Sequence, residues 1–66
     1  MIIQVNERSV ETDPGITLLA LLQQLELTSR HIAVEVNLTL VPFESHGDTI
    51  LSAEDKLEIV TFVGGG

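Results

Sequence analysis

The sequence predicts an α+β fold: a mixed sheet of about five strands with one main helix packed on one face. Three observations carry this. Apolar residues alternate with period two in several short segments, one leucine stripe has helical spacing, and Pro, Gly or Asn punctuates the stretches between them. With 66 residues and no cysteine, the chain reads as a single domain, 1–66, near the lower size at which an apolar core suffices without staples. A hydrophobic content of 44% favours folding over disorder.

Met1, Ile3 and Val5 share one face of the first segment and Ile2 and Gln4 the other, which makes it a strand. Asn6-Glu7 offers a tight turn into a second strand, Arg8 to Thr12, although Asn-Glu is a weaker hairpin signal than Asn-Gly. Asp13-Pro14-Gly15 breaks that strand. Thr17 then stands at a helix N-cap, with Ile16 and Leu21 placed for a hydrophobic staple. Leu18, Leu21, Leu22 and Leu25 form one apolar helix face, which in so small a domain belongs to the core, and Gln23, Gln24 and Glu26 face solvent. Thr28 and Ser29 end the helix.

Ile32, Val34 and Val36 alternate with Ala33, Glu35 and Asn37 in the next strand. Asn37 starts the turn into a short strand, Thr39 to Val41, which Pro42 closes or confines to an edge. Glu44 to Asp48 reads as a polar loop, Ile50 and Leu51 return apolar side chains to the core, and Ala53 to Lys56 forms a tight turn. The last strand, Leu57 to Val63, carries Leu57, Ile59, Thr61 and Val63 on one face and Glu58, Val60 and Phe62 on the other. The helix cannot cover both faces, so Val60 and Phe62 either dock a partner or pack beneath a loop. Parallel pairing of the first and last strands at the sheet centre makes this a β-grasp, or ubiquitin-like, architecture.

The last strand runs into Gly64, Gly65 and Gly66. Consecutive glycines extend a strand poorly, so residues 63–66 are expected to form a flexible tail. Without side chains such a tail suits a narrow active-site channel, and the Gly66 carboxylate is its chemical handle. A carboxylate is a poor electrophile, so its use requires activation, typically adenylation with ATP. The bland alternative is a disordered end or linker.

Ten acids against Arg8, Arg30 and Lys56 give a net charge of −7, and Phe43 and Phe62 are the only aromatics, which argues against nucleic acid as a partner. The acidity either steers the domain to a basic partner surface or serves solubility. The sequence has neither a membrane-spanning run nor a secretory signal, and the lack of cysteine is compatible with a cytoplasmic protein that has no thiol chemistry of its own. His31 and His46 lack metal-ligand spacing and read as surface or loop residues. Asp13, Glu54 and Asp55 read as solvated turn acids without the partners of a general acid–base pair. Neither a catalytic residue nor a metal site is expected.

The Pro14-Gly15-Ile16-Thr17-Leu18 helix entry, the Ile32 to Pro42 segment turning at Asn37, and the ending Leu57-Glu58-Ile59-Val60-Thr61-Phe62-Val63-Gly64-Gly65-Gly66 together resemble the ThiS family, the ubiquitin-like sulfur carriers of thiamine biosynthesis. The resemblance covers essentially the whole chain. One departure precedes the last strand, where the family often has Gly-Asp and this chain has Glu54-Asp55. The resemblance implies a protein co-substrate rather than an enzyme. A ubiquitin-activating-enzyme-like adenylyltransferase would use ATP-Mg²⁺ to adenylate Gly66, with no cofactor bound by the carrier. Sulfur from a cysteine desulfurase would convert the adenylate to a thiocarboxylate, and thiazole synthase would take up that sulfur. Gly66 is then the modified residue, Gly64 and Gly65 give the tail passage, and Val60, Phe62 and Val63 are candidates for partner binding. Two alternatives stand beside this: the small subunit of molybdopterin synthase, and a ubiquitin-like interaction module or modifier.

Overall fold

The computed structural model describes residues 1–28 and 31–62. In it the chain forms β1 (Ile2–Val5), β2 (Arg8–Glu11), α1 (Leu18–Gln24), β3 (Ile32–Val36), β4 (Thr39–Val41), a 3-10 helix (Phe43–Asp48) and β5 (Lys56–Thr61). The expected tail, Val63 with Gly64, Gly65 and Gly66, lies outside the described residues, as does Ser29.

Both hairpins turn for the same reason. A two-residue turn that matches the twist of its strands needs positive φ at both central positions, and Asn6 (φ 49°) and Glu7 (φ 69°) supply it between β1 and β2. Asn37 (φ 51°) and Leu38 (φ 72°) supply it between β3 and β4. The closing pairs are Val5 with Arg8 and Val36 with Thr39. Asparagine tolerates the left-handed region, and its place at the first position of each turn sets both registers.

The sheet order is β2-β1-β5-β3-β4. At its centre β1 runs parallel to β5, with Gln4 beside Lys56 and Val5 beside Leu57, while β3 pairs antiparallel with β5 from Ile32–Thr61 to Val36–Leu57. This is the expected β-grasp sheet. Ile3, Val5, Val34, Leu57 and Ile59 supply its buried face, and Leu18, Leu21 and Leu22 of α1 complete the core with Ile32 and Leu51. Each fully buried leucine contributes roughly 1.5–3 kcal/mol of transfer free energy.

Thr17 caps α1 as its position predicts: its backbone is extended (φ −83°, ψ 160°) and its hydroxyl accepts the Ala20 N–H at 3.1 Å. The helix stops earlier than Thr28. Glu26 takes φ 61°, its N–H reaches the Gln23 carbonyl at 3.1 Å, and the Leu27 N–H reaches Leu22 at 2.8 Å. These are the paired bonds of a left-handed helix stop, with a glutamate where glycine is usual.

Two further expectations are corrected. Glu44 to Asp48 lies in the 3-10 helix, and His46 is buried within it, its Nε2 3.1 Å from the Val41 carbonyl oxygen and its ring 5.5 Å from that of Phe43. The i, i+3 spacing of Phe43 and His46 matches the three-residue turn of such a helix, which stacks those side chains along one edge. Ile50 is 67% exposed whereas Leu51 is buried. Residues 49–51 are extended, with Leu18 N–H bonded to Thr49 (2.8 Å) and Leu51 N–H to Ile16 (2.9 Å), so neighbouring side chains point to opposite sides.

Candidate functional site

β5 carries the chain toward the glycines, and strand alternation splits it. Leu57 and Ile59 point under α1, and Glu58 and Val60 point to the opposite, helix-free face. Val60 is 58% exposed and Phe62 52%, which excludes burial beneath a loop for both. Thr61, expected on the buried side, is exposed, because the core ends at Ile59 and Ile32. Across the strands Val60 lies beside Ala33, and Glu58 beside Glu35, which in turn faces Leu40 of β4. The helix-free face therefore sets exposed Val60 and Leu40 around two directly opposed carboxylates.

Side-chain amides fasten β5 to the turns. The Asn6 N–H donates to the Leu57 carbonyl (2.9 Å), its Nδ2 donates to the Ile59 carbonyl (3.0 Å), and its Oδ1 accepts the Ile59 N–H (2.7 Å). Asn37 repeats the device at the other end of the strand. Its N–H donates to the Lys56 carbonyl (2.7 Å), its Oδ1 accepts the Lys56 N–H (3.0 Å), and its Nδ2 donates to Asp55 Oδ1 (2.9 Å). Asp55, expected to be a solvated turn acid, is half-buried and also accepts the Ser52 N–H through Oδ2 at 2.8 Å. Glu54 beside it is exposed and holds φ 69°. Sequence reasoning placed both asparagines in turns but missed what their side chains hold, since Asn6 and Ile59 are 53 positions apart.

The described residues contain no group of three or more His, Cys, Asp or Glu able to hold a metal ion. His31 is exposed, as expected, and its carbonyl accepts the Phe62 N–H at 3.0 Å, which extends the β3–β5 ladder by one bond. Among the described residues no helix is long and apolar enough to cross a membrane. Of the residues singled out from sequence, the structure brings Val60 and Phe62 to one end of β5. Val63, Gly64, Gly65 and Gly66 lie outside the described residues.

A model of the ThiS family matches residues 3–66, which include Gly64, Gly65 and Gly66. The ycf40 protein of Porphyra purpurea is 39% identical over 64 residues, covering 97% of this chain and 90% of its own. The thiazole synthase of Paramagnetospirillum magneticum is 42% identical over 66 residues, and there the whole of this chain spans only 20% of the relative's length. Among solved structures, the thiamine biosynthesis protein ThiS of Geobacter metallireducens superposes over the full length of both chains with a TM-score of 0.85 at 26% identity.

Proposed function

The chain belongs to the ThiS family of ubiquitin-like sulfur carriers, and on that premise we propose that the carboxylate of Gly66 is its working group. The observation that carries the proposal is the family match running through the glycines. An adenylyltransferase of the ubiquitin-activating type binds the helix-free face through Val60 and Phe62 and also contacts Val63, and Gly64 and Gly65 let the chain enter its active site. The Gly66 carboxylate oxygen attacks the α-phosphorus of ATP-Mg²⁺, pyrophosphate leaves, and an acyl adenylate forms. A persulfide made from cysteine by a desulfurase attacks the acyl carbon and AMP leaves. Two electrons from a thiol then cleave the acyl disulfide and release the thiocarboxylate.

Thiazole synthase is the proposed acceptor. In its favour, two proteins bearing that name contain a stretch similar to this whole chain within a fifth of their length. The carrier supplies no catalytic group: it is a co-substrate returned to the carboxylate after each transfer. We place the cycle in the cytoplasm, where thiols stay reduced.

The test is intact and fragment mass spectrometry after incubation with the adenylyltransferase, ATP, cysteine and the desulfurase. The expected result is an ATP-dependent exchange of one oxygen for sulfur localised to Gly66. Localisation matters because oxidation of Met1 to its sulfoxide gives almost the same mass change. An unmodified Gly66, in the presence of partners shown to be active on another carrier, overturns the reading.

A further inference from the structure

We propose that Asn6 is a positioning residue for the carrier reaction: its carboxamide stands in for the missing continuation of β1 and holds the end of β5 from which the glycines leave. The proposal rests on the function above only for its kinetic consequence.

β1 ends at Val5, and the chain turns away through Asn6 and Glu7. β5 continues to Thr61. Parallel pairing with β1 is limited to Gln4–Lys56 and Val5–Leu57, so from Ile59 onward a strand partner on that side has to come from elsewhere. Asn6 provides it. Its carboxamide presents one donor and one acceptor in the arrangement of a peptide unit, and they bond the carbonyl and N–H of the same residue, Ile59, at 3.0 and 2.7 Å. With the backbone bond to Leu57 at 2.9 Å, one residue closes the β1 side of the strand from 57 to 59. Among the described residues, β5 past that point is held by β3 alone, through Ala33–Val60, Ile32–Thr61 and the Phe62 N–H on His31. Among the described residues Thr61 makes no bond toward β1. Asn6 is therefore, among the described residues, the last tie on that side.

The consequence is a division of labour. Docking through exposed side chains sets how often the carrier is bound. The direction in which β5 delivers the chain sets how often a bound carrier places its carboxylate at the ATP phosphorus. Reacting groups tolerate little misplacement, and a shift of the order of 1 Å costs up to about a hundredfold in rate. Loosening Ile59 should therefore lower kcat for activation and leave KM nearly unchanged.

Asn6→Gly tests this, because glycine accommodates the φ of 49° while removing the side chain that carries the carboxamide, and the Asn37 variant controls for the added backbone freedom. Asn37→Gly is the matched control, since it removes the equivalent amide at the opposite end of β5. Amide hydrogen exchange and adenylyltransferase-dependent ATP–pyrophosphate exchange are measured on both variants, with folding verified by circular dichroism. For Asn6→Gly the expected result is faster exchange at Ile59 and Val60 and a kcat lower by about tenfold, with KM within about twofold. For Asn37→Gly those two amides and both kinetic parameters stay as in the parent protein. Unchanged exchange at Ile59 and Val60 of Asn6→Gly overturns the proposal whatever the kinetics. So does faster exchange with parental kcat, or an equal kcat loss in both variants. If the parent protein itself supports no pyrophosphate exchange, the function reading fails and hydrogen exchange alone decides whether Asn6 holds the strand.

Discussion

Glu54 sits at φ 69° in the Ser52–Asp55 turn, whose closing bond runs from the Asp55 N–H to the Ser52 carbonyl at 3.1 Å. Positive φ at the third turn position is where glycine belongs, and it is also where the sequence resemblance leads one to expect Gly-Asp in place of Glu54-Asp55. A non-glycine residue there costs roughly 1–2 kcal/mol. Glycine returns about 0.4–1 kcal/mol of that through the greater freedom of its unfolded chain. Because the Glu54 side chain is exposed and holds no bond among the described residues, Glu54→Gly should stabilise the fold by about 0.5–1 kcal/mol and raise Tm by about 2–8 °C. Thermal unfolding followed by circular dichroism checks this, and an unchanged or lower Tm refutes the account of the turn. Asn37 and Asn6 show what a sequence reveals at this scale and what it does not. Their preference for turns is a property of the residue and was readable. The bonds from their side chains to β5 depend on strands that meet only in the folded sheet. His46 was misplaced for the same reason: its burial is decided by the Val41 carbonyl and the Phe43 ring, not by its own polarity.

At the scale of elements, local chemistry explains which boundaries were legible. The start of α1 was, because Thr17 and the leucine stripe announce it. Its end was not, because the left-handed stop uses Glu26 rather than glycine, and the 3-10 helix was missed because its signal is one pair of residues three apart. The cap matters more here than in a long helix. α1 has seven residues, and a helix so short recovers little of its nucleation cost by propagation. Thr17→Ala removes the acceptor of the Ala20 N–H and should cost about 1 kcal/mol, whereas Thr17→Ser should restore most of it. Urea unfolding should show the loss as a lower midpoint at constant slope. Equal midpoints for the two variants would remove the cap from the explanation of the helix.

At the scale of the molecule, the sheet order followed from apolar alternation, since one helix buries one face and leaves the other open. The charge arrangement on that open face was not legible, because it depends on register. Glu35 and Glu58 fall directly opposite each other, an unfavourable pairing on a sheet by about 0.2–1 kcal/mol. A net charge of −7 adds general repulsion. Such a cost is compensated if the face is read by a basic partner, since opposed carboxylates between Val60 and Leu40 raise the local field at the proposed docking surface. Stability and recognition then respond in opposite directions to one change. Glu58→Gln should raise the urea midpoint slightly, by an amount equivalent to about 0.5 kcal/mol, while raising KM for adenylyltransferase-dependent activation several-fold at low salt. The difference from the parent protein should shrink as ionic strength rises and the Debye length falls to about 8 Å at 0.15 M. A KM equal to the parent's at every salt concentration would leave the acidic pair as an unrelieved repulsion and return the choice of docking surface to the apolar residues alone.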